Sequence, residues 1–428
     1  MFQDWMDRVP SFRGRKRKQS LIGLDLGSTA IKAVEMTMEE DGPVVTGVAQ
    51  RDILPGEDFP EVLSALLAEA GFTSKEAATA VSGRSVVVRY LSTTDMDDDD
   101  LRQAMSFEVD KLLPFEPEEI LMDCQRLQRQ PQQTGEDEEA GGSRVGVVLA
   151  ACRDTLVEEQ VKGVQSTGLT PVAVDAEAFA LVNAFELCMG ELANTEVDDE
   201  DEGLAEPLDA EAPEYLEDPY GATAEAAEDD QELADPYGAP VEEEGYDPYA
   251  GTGMVDPSTP PPLSGAATAI VDVGATRTQV SVVIGGESCF SREVGVGGVD
   301  MTQAIARRLG VEQDEAEQAK RMPEDNEEEI EEALESVLDD LVNELGLSLD
   351  FVESHEGIHV GRVLLTGGGA RTPGLLDAVI RGTGREAAAW ELFENVRVDE
   401  TCVDRDQLDR IGPSLAVAVG LAARVVAA

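Results

Sequence analysis

The sequence predicts an α/β protein of two related lobes, and three stretches predict it. In the first, Leu21-Ile22-Gly23-Leu24-Asp25-Leu26-Gly27-Ser28-Thr29, an apolar run reads as a buried strand and Gly27 allows a tight turn. Ser28 and Thr29 bring hydroxyls and backbone N–H groups to that turn, where an anion can be held. The second stretch, Ala269–Thr276, repeats the apolar run, the acid (Asp272), the glycine two residues on (Gly274) and the hydroxyl (Thr276). Another strand-like segment follows each copy, Ile31–Glu35 and Gln279–Val283. The third is a glycine turn straight off an apolar strand, Val363-Leu364-Leu365-Thr366-Gly367-Gly368-Gly369-Ala370. One such hairpin is commonplace; two in separate halves with a Gly-Gly-Gly turn point to a nucleotide clamped between lobes.

The elements follow in order. In residues 1–20, Phe2, Trp5, Met6 and Phe12 precede Arg13-Gly14-Arg15-Lys16-Arg17-Lys18. Aromatic residues beside a polybasic run suit an anionic membrane face, each basic residue contributing about 1 kcal/mol. A soluble leader is the plain alternative. The first lobe, 21–189, opens with strands and a helix over 59–71 that has Phe59, Val62, Leu63, Leu66 and Leu67 on one face, then the strand Ala77–Val81. From about 84 to 172 the rhythm repeats on a small scale: strands Val86–Leu91, Ile120–Leu127 and Val145–Ala151, with helices over 97–113 and 154–167. The acids at 97–100 suit a helix N-terminus, Pro114, Phe115 and Pro117 mark a fixed turn, and the loop at 130–143 is polar. Asp175–Leu187 reads as a helix.

Composition then changes. Residues 190–262 hold 24 Asp or Glu and no Lys or Arg, a signature of disorder for the stretch 190–265. Within it Asp218-Pro219-Tyr220-Gly221-Ala222 recurs at 235–239 and, as Asp-Pro-Tyr-Ala-Gly, at 247–251; the tyrosines read equally as partner hooks or as a drifted duplication. The second lobe, 266–428, runs through Cys289–Val294, and Gly295-Val296-Gly297-Gly298 leads into a helix carrying Met301, Ile305 and Leu309. Helices over 312–322 and 327–349, the strand His359–Thr366, the helix Gly374–Gly382 and the Ala-rich helix Pro413–Val426 complete it.

A formal charge of −57 argues against nucleic acid, because phosphate-binding faces need clustered Lys and Arg. Five scattered cysteines without a Cys-x-x-Cys pair read as free thiols in a reducing cytosol. His355 and His359 stand four apart, but Gly357 lies between them and no third ligand has metal spacing, so they read as structural. No apolar run reaches about 18 residues, so the expectation is a cytosolic or peripheral protein.

Two such hairpins and the glycine turn are the pattern of the actin, chaperone-ATPase and hexokinase superfamily. Within it the chain resembles the PilM family, actin-like proteins of type IV pilus assembly. The resemblance rests on Gly23–Glu35, Leu112–Asp123, Pro171–Leu181, Asp272–Thr276, Gly367–Gly369 and Ile411–Leu421. It implies an actin-like (ribonuclease H-like) two-lobed fold with a small inserted subdomain of the FtsA and PilM type, and two helices crossing between lobes. It also implies ATP and Mg²⁺ in the cleft, location at the inner face of the inner membrane, and a PilN-like partner whose N-terminal tail docks between the first lobe and the inserted subdomain.

In that cleft, backbone N–H groups of Gly27, Ser28, Thr29, Gly274, Ala275 and Thr276 cradle the phosphates, and Asp25 and Asp272 hold Mg²⁺ mostly through water. Lys32 either neutralises phosphate or is an exposed strand lysine, and Gly367, Gly368 and Gly369 let the backbone pass under the nucleotide. Gly297 and Gly298 precede a helix N-terminus that can face phosphate or ribose. The segment Ala316–Arg321 resembles the superfamily helix that contacts ribose and adenine through Glu317 and Lys320, whose plain reading is an ion pair. The other readings are a type II secretion scaffold, a kinase or ATPase, for which no substrate loop with a base is found, and a self-associating FtsA-like division filament, which lacks its usual C-terminal amphipathic helix.

Overall fold

Three runs of strands separated by amphipathic helices organise the computed structural model, which describes residues 19–54, 56–112, 119–127, 144–189, 267–323 and 327–426. The first lobe contains β1 (Ser20–Leu26), β2 (Ala30–Glu39), β3 (Gly42–Asp52), α1 (Phe59–Ala70), β4 (Glu76–Val81) and, after an insertion, α3 (Asp154–Ser166) and β8 (Thr170–Ala176). Its five strands lie in the order β3-β2-β1-β4-β8, with β1 antiparallel to β2, and β1, β4 and β8 mutually parallel. The second lobe contains β9 (Ala267–Val273), β10 (Thr278–Ile284), β11 (Glu287–Val294), α5 (Gly298–Leu309), α6 (Gln313–Arg321), α7 (Glu327–Glu356), β12 (Val360–Thr366), α8 (Leu375–Thr383) and β13 (Glu386–Ala389). Its sheet has the same order, β11-β10-β9-β12-β13, and the same directions. The lobes are therefore two copies of one topology, the actin-like arrangement.

Between the sheets run α4 (Glu177–Met189) and α9 (Ala416–Ala422). The helix that leaves the first lobe packs on β10 and β11, and the helix that ends the second packs on β1, β2 and β4. Their shared core draws Val34 and Ala78 from one lobe and Ile270, Val283 and Leu364 from the other. Small residues make the crossing close. A Cβ on Gly420 would lie 1.7 Å from the Ala180 carbonyl oxygen, and one on Gly23 would lie 2.0 Å from that of Ala418.

The insertion comprises β5 (Val86–Thr94), α2 (Asp98–Leu112), β6 (Ile120–Arg126) and β7 (Arg144–Arg153), in a sheet of order β5-β7-β6. Leu101, Met105 and Val109 of α2 pack on Val147, Leu149 and Ala151 of β7. This sheet ends at Arg153, not near 172: α3 packs on β4 and β8 of the first lobe, and β8 is a strand of the first sheet. Asp175 accordingly lies in a strand, and the helix expected from it begins at Glu177. Helix α7 continues past the expected 349 to Glu356, because Leu349 and Val352 extend its buried stripe. Residues 1–18, the turn with Pro114, Phe115 and Pro117, the loop at 130–143 and the acidic stretch 190–265 with its tyrosine repeats lie outside the described residues. Among the described residues no helix is long and apolar enough to cross a membrane.

Candidate functional site

Each five-stranded sheet carries its first hairpin turn to one cleft. Asp25, Gly27, Ser28, Thr29 and Lys32 line it from the first lobe, and Asp272, Gly274, Ala275, Thr276 and Arg277 from the second. The turns are built alike. A Cβ on Gly27 would lie 2.8 Å from the Ala30 carbonyl oxygen, and one on Gly274 the same distance from that of Arg277. Only glycine lets the chain fold back this closely.

The charges between the turns determine what can enter. Asp25 and Lys32 face each other across β1 and β2, and Lys32 Nζ donates to Asp25 Oδ2 at 2.7 Å. Burial pulls the Lys32 ammonium down, but the Asp25 and Asp272 charges and the Asp25 hydrogen bond outweigh it and hold it above its usual range. Asp272 is buried, and burial together with the charge of Glu177 pushes its carboxyl up to about 7, against the pull of Lys32. Glu177, the first residue of α4, is likewise raised, by burial and the charge of Asp25, despite the Ser82 hydrogen bond and Arg277. Gly367 backs this cluster: its φ is +92°, and a Cβ there would fall 2.1 Å from Asp272 Oδ1. Gly369 is pressed against Val273, whereas Gly368 is open and stands clear.

Several expected contacts serve the frame of the cleft instead. Gly274 N–H donates to the Arg277 carbonyl at 2.9 Å, closing its own turn. The first amides of α5 are also taken, since Gly298 N–H bonds the Gly274 carbonyl at 2.9 Å and Val299 N–H that of Ala275 at 2.7 Å. Gly297 and Gly298 thus brace the second turn from beneath. Lys320 is buried in a knot: Nζ donates to the Gly298 carbonyl at 2.9 Å and Thr302 Oγ1 at 2.8 Å, and pairs with Glu317 at 2.7 Å. Burial is the main cause of its lowered pKa. Burial opposes ionisation of Glu317 too, but hydrogen bonds from Lys320 and Thr302 prevail and keep its carboxyl below the usual range. Neither lines the cleft; the pair locks α6 to α5. His359 meets Glu353 and His355 stacks on Phe351, so the two histidines form no metal pair.

Sequence reasoning missed Ser82, Glu177 and Arg277, which complete the polar lining. Superposing the two hairpin sequences gives a signal for one of them, because Arg277 stands where the first copy has Ala30. Ser82 and Glu177 come from distant elements and have none.

The family model for the type IV pilus assembly protein PilM matches residues 23–202 and 244–426. The chain belongs to the PilM family. Among solved structures, the PilM-PilN type IV pilus biogenesis complex matches with a TM-score of 0.69 at 24% identity, covering 95% of this chain and 98% of that one. The ethanolamine utilization protein EutJ from Carboxydothermus hydrogenoformans matches with a TM-score of 0.46 at 14% identity, over 97% and 93% of the two chains. Component A of (R)-2-hydroxyglutaryl-CoA dehydratase from Acidaminococcus fermentans matches at 0.40 and 11%, over 94% and 96%. As a member of the PilM family the protein takes part in type IV pilus assembly, on an actin-like fold. The family match breaks over 203–243, inside the acidic stretch.

Proposed function

We propose that this PilM-family protein is a Mg-ATP-dependent scaffold that docks the N-terminal tail of a PilN-like protein at the inner face of the inner membrane. The convergence of both Asp-x-Gly hairpins on one cleft carries this reading. Ser28, Thr29, Ala275 and Thr276 present the turns to phosphate oxygens, while Lys32 and Arg277 offset their charge. Among the described residues no group of three or more metal-ligating side chains forms a cage. That suits Mg²⁺, which keeps most of its water and takes one or two carboxylates plus phosphates, here Asp25 and Asp272. The bound ion supplies the charge that the acid cluster otherwise leaves uncompensated.

The docking half rests on a groove between the first lobe and the inserted sheet. Val81, Val86, Leu121, Val148, Val157 and Phe179 give it apolar walls. The ion pair of Arg424 with Asp175, at 2.6 Å, lines it as well. Edge strand β6 forms one wall, so an extended tail can place alternate side chains in the groove. The likeness to a PilM-PilN complex supports the choice of partner. Nucleotide would act by favouring one orientation of the lobes, a population shift.

Calorimetric titration with a synthetic peptide of a PilN-like N-terminal tail, with and without Mg-ATP, tests both halves. Binding whose affinity changes at least about fivefold with nucleotide is expected. Absence of binding in either state would refute docking, and equal affinities would refute the nucleotide link.

A further inference from the structure

Within this repeated fold the second hairpin carries one side chain without a counterpart, and it reaches across to the other lobe. We propose that Arg277 couples phosphate in the cleft to the inserted subdomain, by releasing the Ser82–Gly83 junction when phosphate enters. The inference rests on the cleft being a nucleotide site and names how that site is read out.

Arg277 Nη2 donates to Ser82 Oγ and, at 3.4 Å, to Glu177 Oε2. Its Nε meets Glu293 Oε2 at 3.0 Å, and that oxygen also accepts the Gly83 N–H at 3.0 Å. One guanidinium and one carboxylate of the second lobe therefore clasp the two residues that follow β4. Gly83 has φ +94°, and its carbonyl accepts the N–H of Val86, the first residue of β5. The clasped turn thus sets the direction in which the chain enters the inserted sheet. Val81 before it and Val86 after it both line the docking groove, so a shift of this turn moves two groove walls. Farther along β5, Tyr90 Oη and Ser288 Oγ, 2.6 Å apart, keep the subdomain on the second lobe as a pivot.

The clasp competes with a ligand. Ser82, Glu177 and Arg277 all line the cleft, and the Arg277 side chain keeps 34% of its exposure. A phosphate group offers a guanidinium two charged oxygens in fork geometry, against one neutral hydroxyl and one distant carboxylate oxygen at Ser82 and Glu177. Phosphate between the turns therefore draws Arg277 off Ser82, and the junction keeps only Glu293.

Hydrogen–deuterium exchange on the full chain, with and without Mg-ATP, tests this, with nucleotide binding followed separately by calorimetry. Mg-ATP is expected to speed exchange of the Gly83 and Val86 amides about tenfold. Glu293→Gln lies outside the cleft lining; it should bind Mg-ATP at least as tightly as the wild type, because phosphate no longer has to open the clasp, and should show the fast exchange without nucleotide. Arg277→Ala should bind Mg-ATP about tenfold more weakly through the lost charged hydrogen bond. At saturating nucleotide its junction amides, already fast, should not respond. Melting temperatures near the wild-type value show that both variants fold. Mg-ATP binding to the wild type with unchanged exchange at these amides, or an Arg277→Ala chain that responds like the wild type, overturns the proposal. If the wild type does not bind Mg-ATP, the cleft reading fails and the coupling with it, whereas Glu293→Gln still shows whether the clasp holds the turn.

Discussion

Replacing Asp272 by Asn should stabilise the nucleotide-free protein while removing its response to Mg-ATP. The reason is the carboxyl raised from 3.8 to about 7. Below about 3.8 it carries a proton in both folded and unfolded chains, and burial costs nothing through ionisation. Between 3.8 and 7 the unfolded chain releases that proton and the folded chain keeps it, so stability falls as pH rises; above 7 the full penalty is present. At about 1.4 kcal/mol per unit the penalty reaches roughly 4 kcal/mol, of which about 2 kcal/mol develops between pH 5.5 and 8.5. For a chain of this size 1 kcal/mol moves the melting temperature by about 1–2 °C. Asp272→Asn should therefore melt about 4 °C or more above the wild type at pH 8.5, and the gap should shrink by about half at pH 5.5. Scanning calorimetry at both pH values, with and without Mg-ATP, measures this. The wild type should gain stability with Mg-ATP at pH 8.5, where the ion replaces the missing charge, and Asp272→Asn should gain little. A variant that melts below the wild type at pH 8.5, or a gap that does not change with pH, would refute the reasoning.

Three more outcomes follow from geometry. Glu35 accepts from Thr73 N–H and Ser74 N–H at 2.7 Å each and from Thr46 Oγ1 at 3.0 Å, so Glu35→Ala strands three donors, the Ser74 N–H among them buried. Urea unfolding should register a loss of about 3 kcal/mol. Gly420→Val drives a Cβ against the Ala180 backbone, which cannot rotate away, and should cost about 3 kcal/mol or more in the same assay. In the groove, Leu121→Asp puts a charge on an apolar wall of edge strand β6; it should weaken the PilN-like peptide by about tenfold or more in calorimetry and leave Mg-ATP affinity unchanged.

What the sequence showed and what it hid divide along the range of the interactions. The hairpins at Asp25–Thr29 and Asp272–Thr276 were legible because a strand, a close turn and a returning strand need only local residues, and both turns form as expected. The Glu317 and Lys320 spacing was legible as a pair, but its purpose was not: Thr302 and the Gly298 carbonyl reach it only through the packing of α5 on α6. The amphipathic pattern over 154–167 announces a helix without saying which sheet it covers, which is why the sequence extends the inserted subdomain to about 172 although its sheet ends at Arg153. Thr170–Ala176 gives no strand signal because it pairs in parallel with a single neighbour, β4, far back in the chain, and no hairpin partner is adjacent in sequence.

The cleft's charge balance is the least local property of all, and it makes the lobes interdependent. The repeat is symmetric in backbone but not in cations. Across from Asp25 the first hairpin has Lys32, while across from Asp272 the second has the neutral Gln279, which turns to Ser291. The second lobe's cation stands two residues earlier, as Arg277, and its hydrogen bonds to Ser82 and Glu177 are made in the first lobe's chain. Lys32 in turn is held partly by the Asp272 charge of the other lobe. Three cleft carboxylates, Asp25, Glu177 and Asp272, are thus offset by two cations, one from each lobe: Lys32 pairs with Asp25 inside the first lobe, while Arg277 is shared between Glu293 of its own lobe and Glu177 of the other. A divalent ion with a polyphosphate would change that balance for both lobes at once, so the proposed nucleotide would act on how the lobes meet rather than on either one separately.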